Sequence, residues 1–590
     1  MLPLDFTRVE SLAAELSGFG SRMTGYPGYY RAADFIYSYL KGLGLRVIND
    51  TYKVLVPVEE EAYIEILEPF KACVRAYALY PNGVNPSPTL PEGLSGPLVY
   101  VGRGELESFD GKEVDGSIVA MEFNSQDNWL NAAKLGAKAV VFIEPDGTTY
   151  YECDKKFLDT PIGFPRLYIK KSDWELLKEA RLVRVVSRVE WKEVEAKNFV
   201  AVINGSSPGD VIVVAAHFDS WSVVPGLASS RAEAVAPALL LELARYFKEN
   251  PPRYTVWLVF LSGHWQALAG ARAFVEHFFF NGDVASGKVT VWGFIGLDKF
   301  ASDSDGLQLL HASYYTTYGG NSIHSGGFPA RLSWVMTAVQ NILAEDAVSR
   351  YAQTVFGVSD ARGLVSTFFP YQGFWGTEPI PYMLDSEAAS ISGVPAFSIV
   401  SRRSSRLYYG IPIDDSEYAN FTVLKPYLEL ASYIVVRLLN MEWQISRSAI
   451  APTRYDLAAE RGYPGFTVFH GRAVTYNFTK GWYDPVPNAI VEAQLITSSY
   501  KLNKIFVKAD ENGTFTIYGI PHAGRGAYGG TVIPFSRWIL RGWVLDENGN
   551  MVMATDLGQF GMPNFQVIIN VLHPYENVTV VMAKSYVVEL

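Results

Sequence analysis

Three short stretches carry residue types able to do acid–base or metal chemistry. VIVVAAHFDS, residues 211–220, brings an apolar run to His217 and Asp219. VWGFIGLD, residues 291–298, ends in Asp298. VFLSGHWQALAGARAF, residues 259–274, passes from an apolar run through His264-Trp265 into a helical pattern. On extended chain an H-x-D spacing sends both side chains to one side. Strand ends of an open α/β sheet share one rim, and such sheets keep their sites there. Two imidazoles and a carboxylate with an open position suit a single hydrolytic zinc. His217, His264 and Asp298 would make that set, with Asp219 holding the back of the His217 ring and Glu233 as the base. A lone histidine at a strand end is more often a satisfied structural group, so these residues need a scaffold before they mean anything.

Helical periodicity at 8–19 and 29–43 is followed by strand-like alternation at 45–67. Residues 69–97 are rich in Pro, Asn and Gly. LVYVG, GSIVAMEF, the helical DNWLNAAKLGA and KAVVFIE then form a second α/β stretch. From 198 to 445 strands and helices alternate: NFVAVIN, DVIVVAAHFDS, ALLLELARYFKEN, YTVWLVFL, QALAGARAFVEHFF, KVTVWGFIGLD, a helical stretch near 331–350, and AFSIVS. This order predicts a mainly parallel sheet covered by helices on both faces. GSSPG at 205–209 matches a G-x-S-x-G nucleophile pattern. Strand lies on both sides of it, which predicts a hairpin turn, not a nucleophile elbow. Past residue 465 the pattern becomes short strands and turns, as expected of a β-sandwich. The predicted units are therefore 1–58 with 196–445, an inserted α/β unit at 59–195, a linker at 446–464, and the β-sandwich at 465–590.

The 590 residues carry a net charge of -11, with 19% charged and 14% aromatic residues and 35 Tyr. No basic stripe is present, which argues against nucleic acid as a partner. So low a charge density suits an acidic exterior, where carboxylates lose charge anyway. Apolar runs reach only about ten residues, too short to span a bilayer, and no apolar signal core follows Met1. Cys73 and Cys153 are the two cysteines. They form no zinc spacing and are either two buried thiols or one disulfide. N-x-S/T sequons at Asn49, Asn204, Asn420, Asn477, Asn512 and Asn577 lean toward an exported protein. Asn512 and Asn204 sit in evident turns that need no glycan.

SRMTGYPGYYRAADFIYSYLKGLGL, VIVVAAHFDSWSVVPGL, ALLLELARYF, VFLSGHWQALAGARAFV, IGLDKF, LDSEAASISGVPAFSI and YYGIPIDD, in that order, resemble the co-catalytic zinc aminopeptidase and glutamate carboxypeptidase family. That family also contains non-catalytic members of the transferrin receptor and nicastrin type. The resemblance covers about residues 5–55 and 198–440. The insertion resembles the family's protease-associated domain, and the tail resembles a carboxypeptidase regulatory-like sandwich. The resemblance implies two zinc ions, a bridging Asp, a Glu-Glu pair, a further Asp and two His. His217, Asp219 and Asp298 match the first His, the Asp behind it and the ligand Asp. Ser229 or Ala232 stands where the bridging Asp belongs. His264 and Trp265 replace the Glu-Glu pair, and Gly410 replaces the last His. Leu384-Asp385-Ser386 matches an S-D-H-like segment.

Tryptophan donates one N–H and accepts nothing, so it cannot bind zinc. With four of six core positions replaced, no catalytic residue set is intact and no cofactor is expected. The expectation is a non-catalytic, exported or cell-surface protein on a peptidase scaffold. It would act by binding other proteins or by self-assembly, to which abundant Tyr is suited. The competing expectation is a metal-dependent exopeptidase rebuilt around one zinc at His217, His264 and Asp298.

Overall fold

A computed structural model of the chain describes residues 2–310 continuously. Beyond them it describes 317–318, 321–322, 346–361, 363–368, 380, 382–443, 450, 452, 454, 465–495, 500–522, 525–528, 531–534, 537–555, 567–570 and 575–584. The helical stretch expected near 331–350 lies outside these residues up to 345. Most of the expected linker at 446–464 also lies outside them.

Helix α1 (Phe6–Gly18) starts where the Asp5 side chain accepts from the Arg8 amide, and buries Phe6, Val9, Leu12, Ala13 and Leu16 along one stripe. That spacing is the apolar face of a 3.6-residue period. Helix α2 (Pro27–Gly42) opens on proline, whose missing N–H costs nothing in a first turn, and buries Tyr29, Ala32, Ala33, Ile36 and Leu40.

Strand β1 (Arg46–Glu68) pairs antiparallel with β6 (Leu182–Ile203) over nearly its whole length. Between them in sequence come β2 (Leu94–Tyr100), β3 (Ile118–Glu122), β4 (Ala139–Ile143) and β5 (Arg166–Ile169), parallel neighbour to neighbour. β2 pairs with β6, so the inserted strands and the main sheet are one fourteen-stranded sheet. Positions 58/59 and 195/196 fall inside continuous strands.

Then follow β7 (Ser207–His217), α3 (Val235–Glu249), β8 (Tyr254–Leu261), α4 (Ala269–Phe274), β9 (Thr290–Leu297), β10 (Gly306–Leu310), β11 (Val365–Phe368), α5 (Ser386–Ile391), β12 (Ala396–Arg402) and α6 (Phe421–Asn440). The strand order is β11-β10-β12-β9-β7-β8-β6. β8, β7, β9 and β12 run parallel, β6 runs antiparallel to β8, and β10 runs antiparallel to β12 but parallel to β11. GSSPG joins β6 to β7, but β8 lies between those strands. The expected hairpin pairing is therefore absent: β7 pairs instead with its parallel neighbours β8 and β9.

From Val211 to His217 every side chain of β7 is buried. Ile212, Val214 and Ala216 pack in one core with α1, α2, α3 and α6, whereas Val211, Val213 and Ala215 pack in the other. Burial on both faces is why this strand reads as an unbroken apolar run. The C-terminal region contributes a four-stranded and a six-stranded sheet. The first contains β13 (Gly465–Asn477), β14 (Trp482–Pro485), β15 (Thr514–His522) and β16 (Tyr575–Val581).

Cys73 is exposed and Cys153 buried, both free thiols. Asn49, Asn204, Asn420, Asn512 and Asn577 are exposed. Among the described residues no helix is long and apolar enough to cross a membrane.

Candidate functional site

Parallel pairing sets Leu261 of β8 beside His217 of β7, and Gly296 of β9 beside Ala215. The strand ends therefore deliver His217, His264 and Asp298 to one rim. Single ligand atoms of these three residues lie within 4.8 Å of one another, and all three residues are buried. Asp219 is buried beside them. Its Oδ2 accepts from Thr24 Oγ1 at 3.2 Å and from the His264 amide at 3.0 Å. His217 Nδ1 lies 3.1 Å from the Asp219 carbonyl and 3.4 Å from Asp219 Oδ1. Burial presses the His217 pKa down, but the Asp219 hydrogen bond and charge prevail and raise it.

His264 spends both ring nitrogens. Nδ1 is 3.1 Å from Asp385 Oδ2, and Nε2 is 3.2 Å from Lys299 Nζ. An ammonium only donates, so Nε2 is the acceptor and Nδ1 carries the proton given to Asp385. Burial, then the His217 and Lys299 charges, hold the His264 pKa well below its ordinary value. The imidazole is thus a neutral bridge between carboxylate and ammonium.

Lys299 directly follows Asp298 and takes a left-handed backbone, φ 56°. That conformation is uncommon outside glycine, and here it turns the side chain into the rim. Its Nζ stands over the rings of Trp265 at 5.0 Å, Tyr409 at 4.9 Å and Tyr382 at 5.6 Å. A cation over aromatic faces is stabilised by their quadrupoles, more so when desolvated. Burial lowers the Lys299 pKa against the pull of Asp298, Glu233 and Asp385. Burial in turn raises those carboxyls, Asp298 and Asp385 to about 6 and Glu233 to about 7. Asp298 is further fixed by Ser398 Oγ at 2.7 Å.

Trp265 and Gly410 now have physical reasons. The Trp265 ring also meets His264 edge-on at 5.2 Å and Tyr409 at 5.6 Å. Gly410 has φ 71°, and a Cβ there would lie 2.1 Å from the Trp221 ring. No side chain, histidine included, fits at 410 while Trp221 is in place. Ala232, one candidate for the bridging-Asp position, is buried and offers no ligand; Ser229, the other, is only half-buried.

Zinc does not fit these residues as arranged. The His217 and His264 rings stack, with centroids 3.9 Å apart and planes 13° apart. Imidazole lone pairs lie in the ring plane, so nearly parallel rings cannot both aim at one ion about 2.0 Å away. The outward lone pair of His264 is already taken by Lys299. Proximity brings the three residues together without making them a coordination shell.

Strand-end reasoning reached His217, Asp219, Asp298 and His264. It missed Lys299, whose one signal was a lone cation directly after the strand-end acid in an otherwise apolar run.

Residues 198–364 match the profile of peptidase family M28. The chain is 25% identical over 292 residues to carboxypeptidase Q of Bos taurus, a match spanning 45% of this chain and 60% of that protein. It is 24% identical over 276 residues to a probable lipoprotein aminopeptidase, LpqL, of Mycobacterium tuberculosis, spanning 44% of this chain and 51% of that protein. These matches thus leave a large part of each relative uncovered. Among solved structures, a Bacillus subtilis zinc aminopeptidase aligns over 76% of this chain and 98% of its own, at 18% identity and TM-score 0.46. A peptidase M28 precursor of Shewanella amazonensis aligns over 75% and 95%, at 15% identity and TM-score 0.45. Through residues 198–364 the chain is thus similar to peptidase family M28.

Proposed function

We propose that this chain is a non-catalytic member of its family, a peptidase scaffold that works by binding or self-assembly outside the cell. One observation carries the reading: Lys299 Nζ lies 3.2 Å from His264 Nε2, the atom that a zinc ion would need. A buried ammonium does locally what a metal would do, compensating the enclosed carboxylates, yet it cannot polarise a carbonyl as a Lewis acid or generate hydroxide. The aromatic rings around Lys299 and the ring over Gly410 support the same reading, because they fill the space a substrate would enter. Exposed Asn49, Asn204, Asn420 and Asn577 would be the glycan sites of an exported chain. Asn477 is a weaker one, since its side-chain amide donates to Asp484 at 2.6 Å. The test is elemental analysis of protein prepared without chelator, beside an assay for amino-acid release from short peptides. No zinc above trace and no release are expected. One zinc per chain with chelator-sensitive release would overturn the proposal.

The rebuilt mononuclear site is the second reading. The closeness of His217, His264 and Asp298 favours it, as does Glu233, whose carboxyl at about 7 is poised for proton transfer. It requires Lys299 to leave His264 Nε2 and the two rings to unstack.

A further inference from the structure

The C-terminal region carries a second aromatic cluster, and this one faces outward. β13 and β14 form a hairpin closed by Phe478-Thr479-Lys480-Gly481, with Tyr476 opposite Tyr483 and Asn477 opposite Trp482. Phe478 is 85% exposed, Trp482 69%, Tyr476 41% and Tyr483 40%. Among the described residues, four of the sixteen exposed large hydrophobic side chains fall within these eight positions. The tip is built, not frayed. Asn477 Oδ1 accepts from the amides of Thr479 at 3.0 Å and Lys480 at 3.1 Å, and Asp484 receives Asn477 Nδ2 and, at 2.8 Å, Lys480 Nζ.

We propose that this hairpin tip inserts into the interfacial layer of an uncharged lipid bilayer. The inference is independent of whether the buried centre is active. Residues opposite one another on a hairpin share a face. Tyr476 and Tyr483 therefore lie on one face of the ribbon, 5.4 Å apart, and the rings of Phe478, 5.2 Å from Tyr476, and Trp482, 5.8 Å from Tyr483, join them in one cluster at the tip. A sugar stacks on a flat ring platform, whereas these rings meet at 79°, 77° and 68°. A second copy needs roughly 800 Å² per partner for a stable interface, and four partly exposed side chains offer far less. Trp and Tyr are the residues that settle at the headgroup level, apolar body inward and polar edge wet. The turn amides bonded to Asn477 are already satisfied, which lowers the cost of leaving bulk water. Lys480 is paired with Asp484, so the tip has no net charge to draw it to anionic lipid, and the acidic chain is repelled by such lipid.

The test is flotation of the full chain with phosphatidylcholine vesicles at 0.15 M and 0.5 M NaCl, beside the Phe478→Ser/Trp482→Ser variant. Both positions are exposed, and an unchanged thermal melt verifies the variant's fold. The wild type should float equally at both salt concentrations, the variant about tenfold less, and phosphatidylserine should not improve binding. Three results would each overturn the proposal: no flotation of the wild type, equal flotation of the variant, or binding that needs phosphatidylserine and is lost at 0.5 M NaCl. A lipid-free dimer abolished by the variant would assign the tip to a second copy and overturn it too.

Discussion

Two neighbouring strand ends of the same sheet do different work. β7 leads into His217-Phe218-Asp219 and β8 into Ser262-Gly263-His264-Trp265. The strands pair in register up to His217 and Leu261, and the first end holds the second, because Asp219 Oδ2 accepts the His264 amide. Asp219 thus has a task that needs no metal, fixing backbone. His264, Trp265 and Lys299 in turn form one set of contacts, a neutral bridge, a ring and an ammonium.

The sharpest way to break this comparison is to remove the ammonium. Lys299→Met leaves Asp298, Asp385 and Glu233 without their cation, and loss of one partner of buried charges costs about 3–5 kcal/mol. Urea unfolding at pH 8 should show that loss, and at pH 5, where these carboxyls can take protons, the deficit should shrink. A variant as stable as wild type that gains a tightly held zinc would mean that β8 kept its metal role.

Gly410→Ala comes next, because it forces a Cβ into the Trp221 ring and strains a left-handed residue. About 2–3 kcal/mol is expected, and adding Trp221→Leu should recover much of the steric part. Additive losses in the double-mutant cycle would show that positions 221 and 410 are not coupled.

A smaller effect concerns pH. The folded pKa values of Asp298, Asp385 and Glu233 are raised by burial, so the folded state binds protons that the unfolded state has released. Their contribution is present below the unfolded values and lost as pH rises through about 6 to 7. The wild-type urea midpoint should therefore be higher at pH 5 than at pH 8, by about 1–2 kcal/mol in stability. The opposite slope would show that burial does not hold these carboxyls protonated above their unfolded range. It would also count against the acidic exterior that the composition suggests.

The smallest expected effect is that of zinc itself. Added zinc or chelator should leave the melting midpoint within about 1 °C, since a ligand stabilises only a state that binds it. A rise of several degrees would restore the mononuclear reading.

Much of the scaffold was legible because it obeys period and order. β7 and β8 read as unbroken apolar runs since both faces are covered, and α1 and α2 showed their stripes. His217, Asp219 and Asp298 could be placed because a strand end has a known address. The partners of His264 could not. Lys299 lies 35 positions away from it and Asp385 lies 121 away, and meetings of that kind are fixed by the sheet, not by spacing. Gly410 looked like a lost ligand, and only the position of the Trp221 ring explains why glycine stands there. The GSSPG turn misled because strands consecutive in sequence are often neighbours in space, and here β8 intervenes.

The ladder between β1 and β6 sets a timetable for synthesis. Arg46 pairs with Val202 and Glu68 with Leu182, so the first long strand leaves the ribosome well over a hundred residues before its partner. At about 5–20 residues per second its hydrogen-bonding edge waits roughly 8–30 s for a match. During that interval Val54, Leu55, Val56, Ile64 and Ile66, all buried in the finished sheet, are open to the wrong neighbours. The nascent chain is therefore a natural client for a chaperone that shields strand edges until residues 182–203 have emerged.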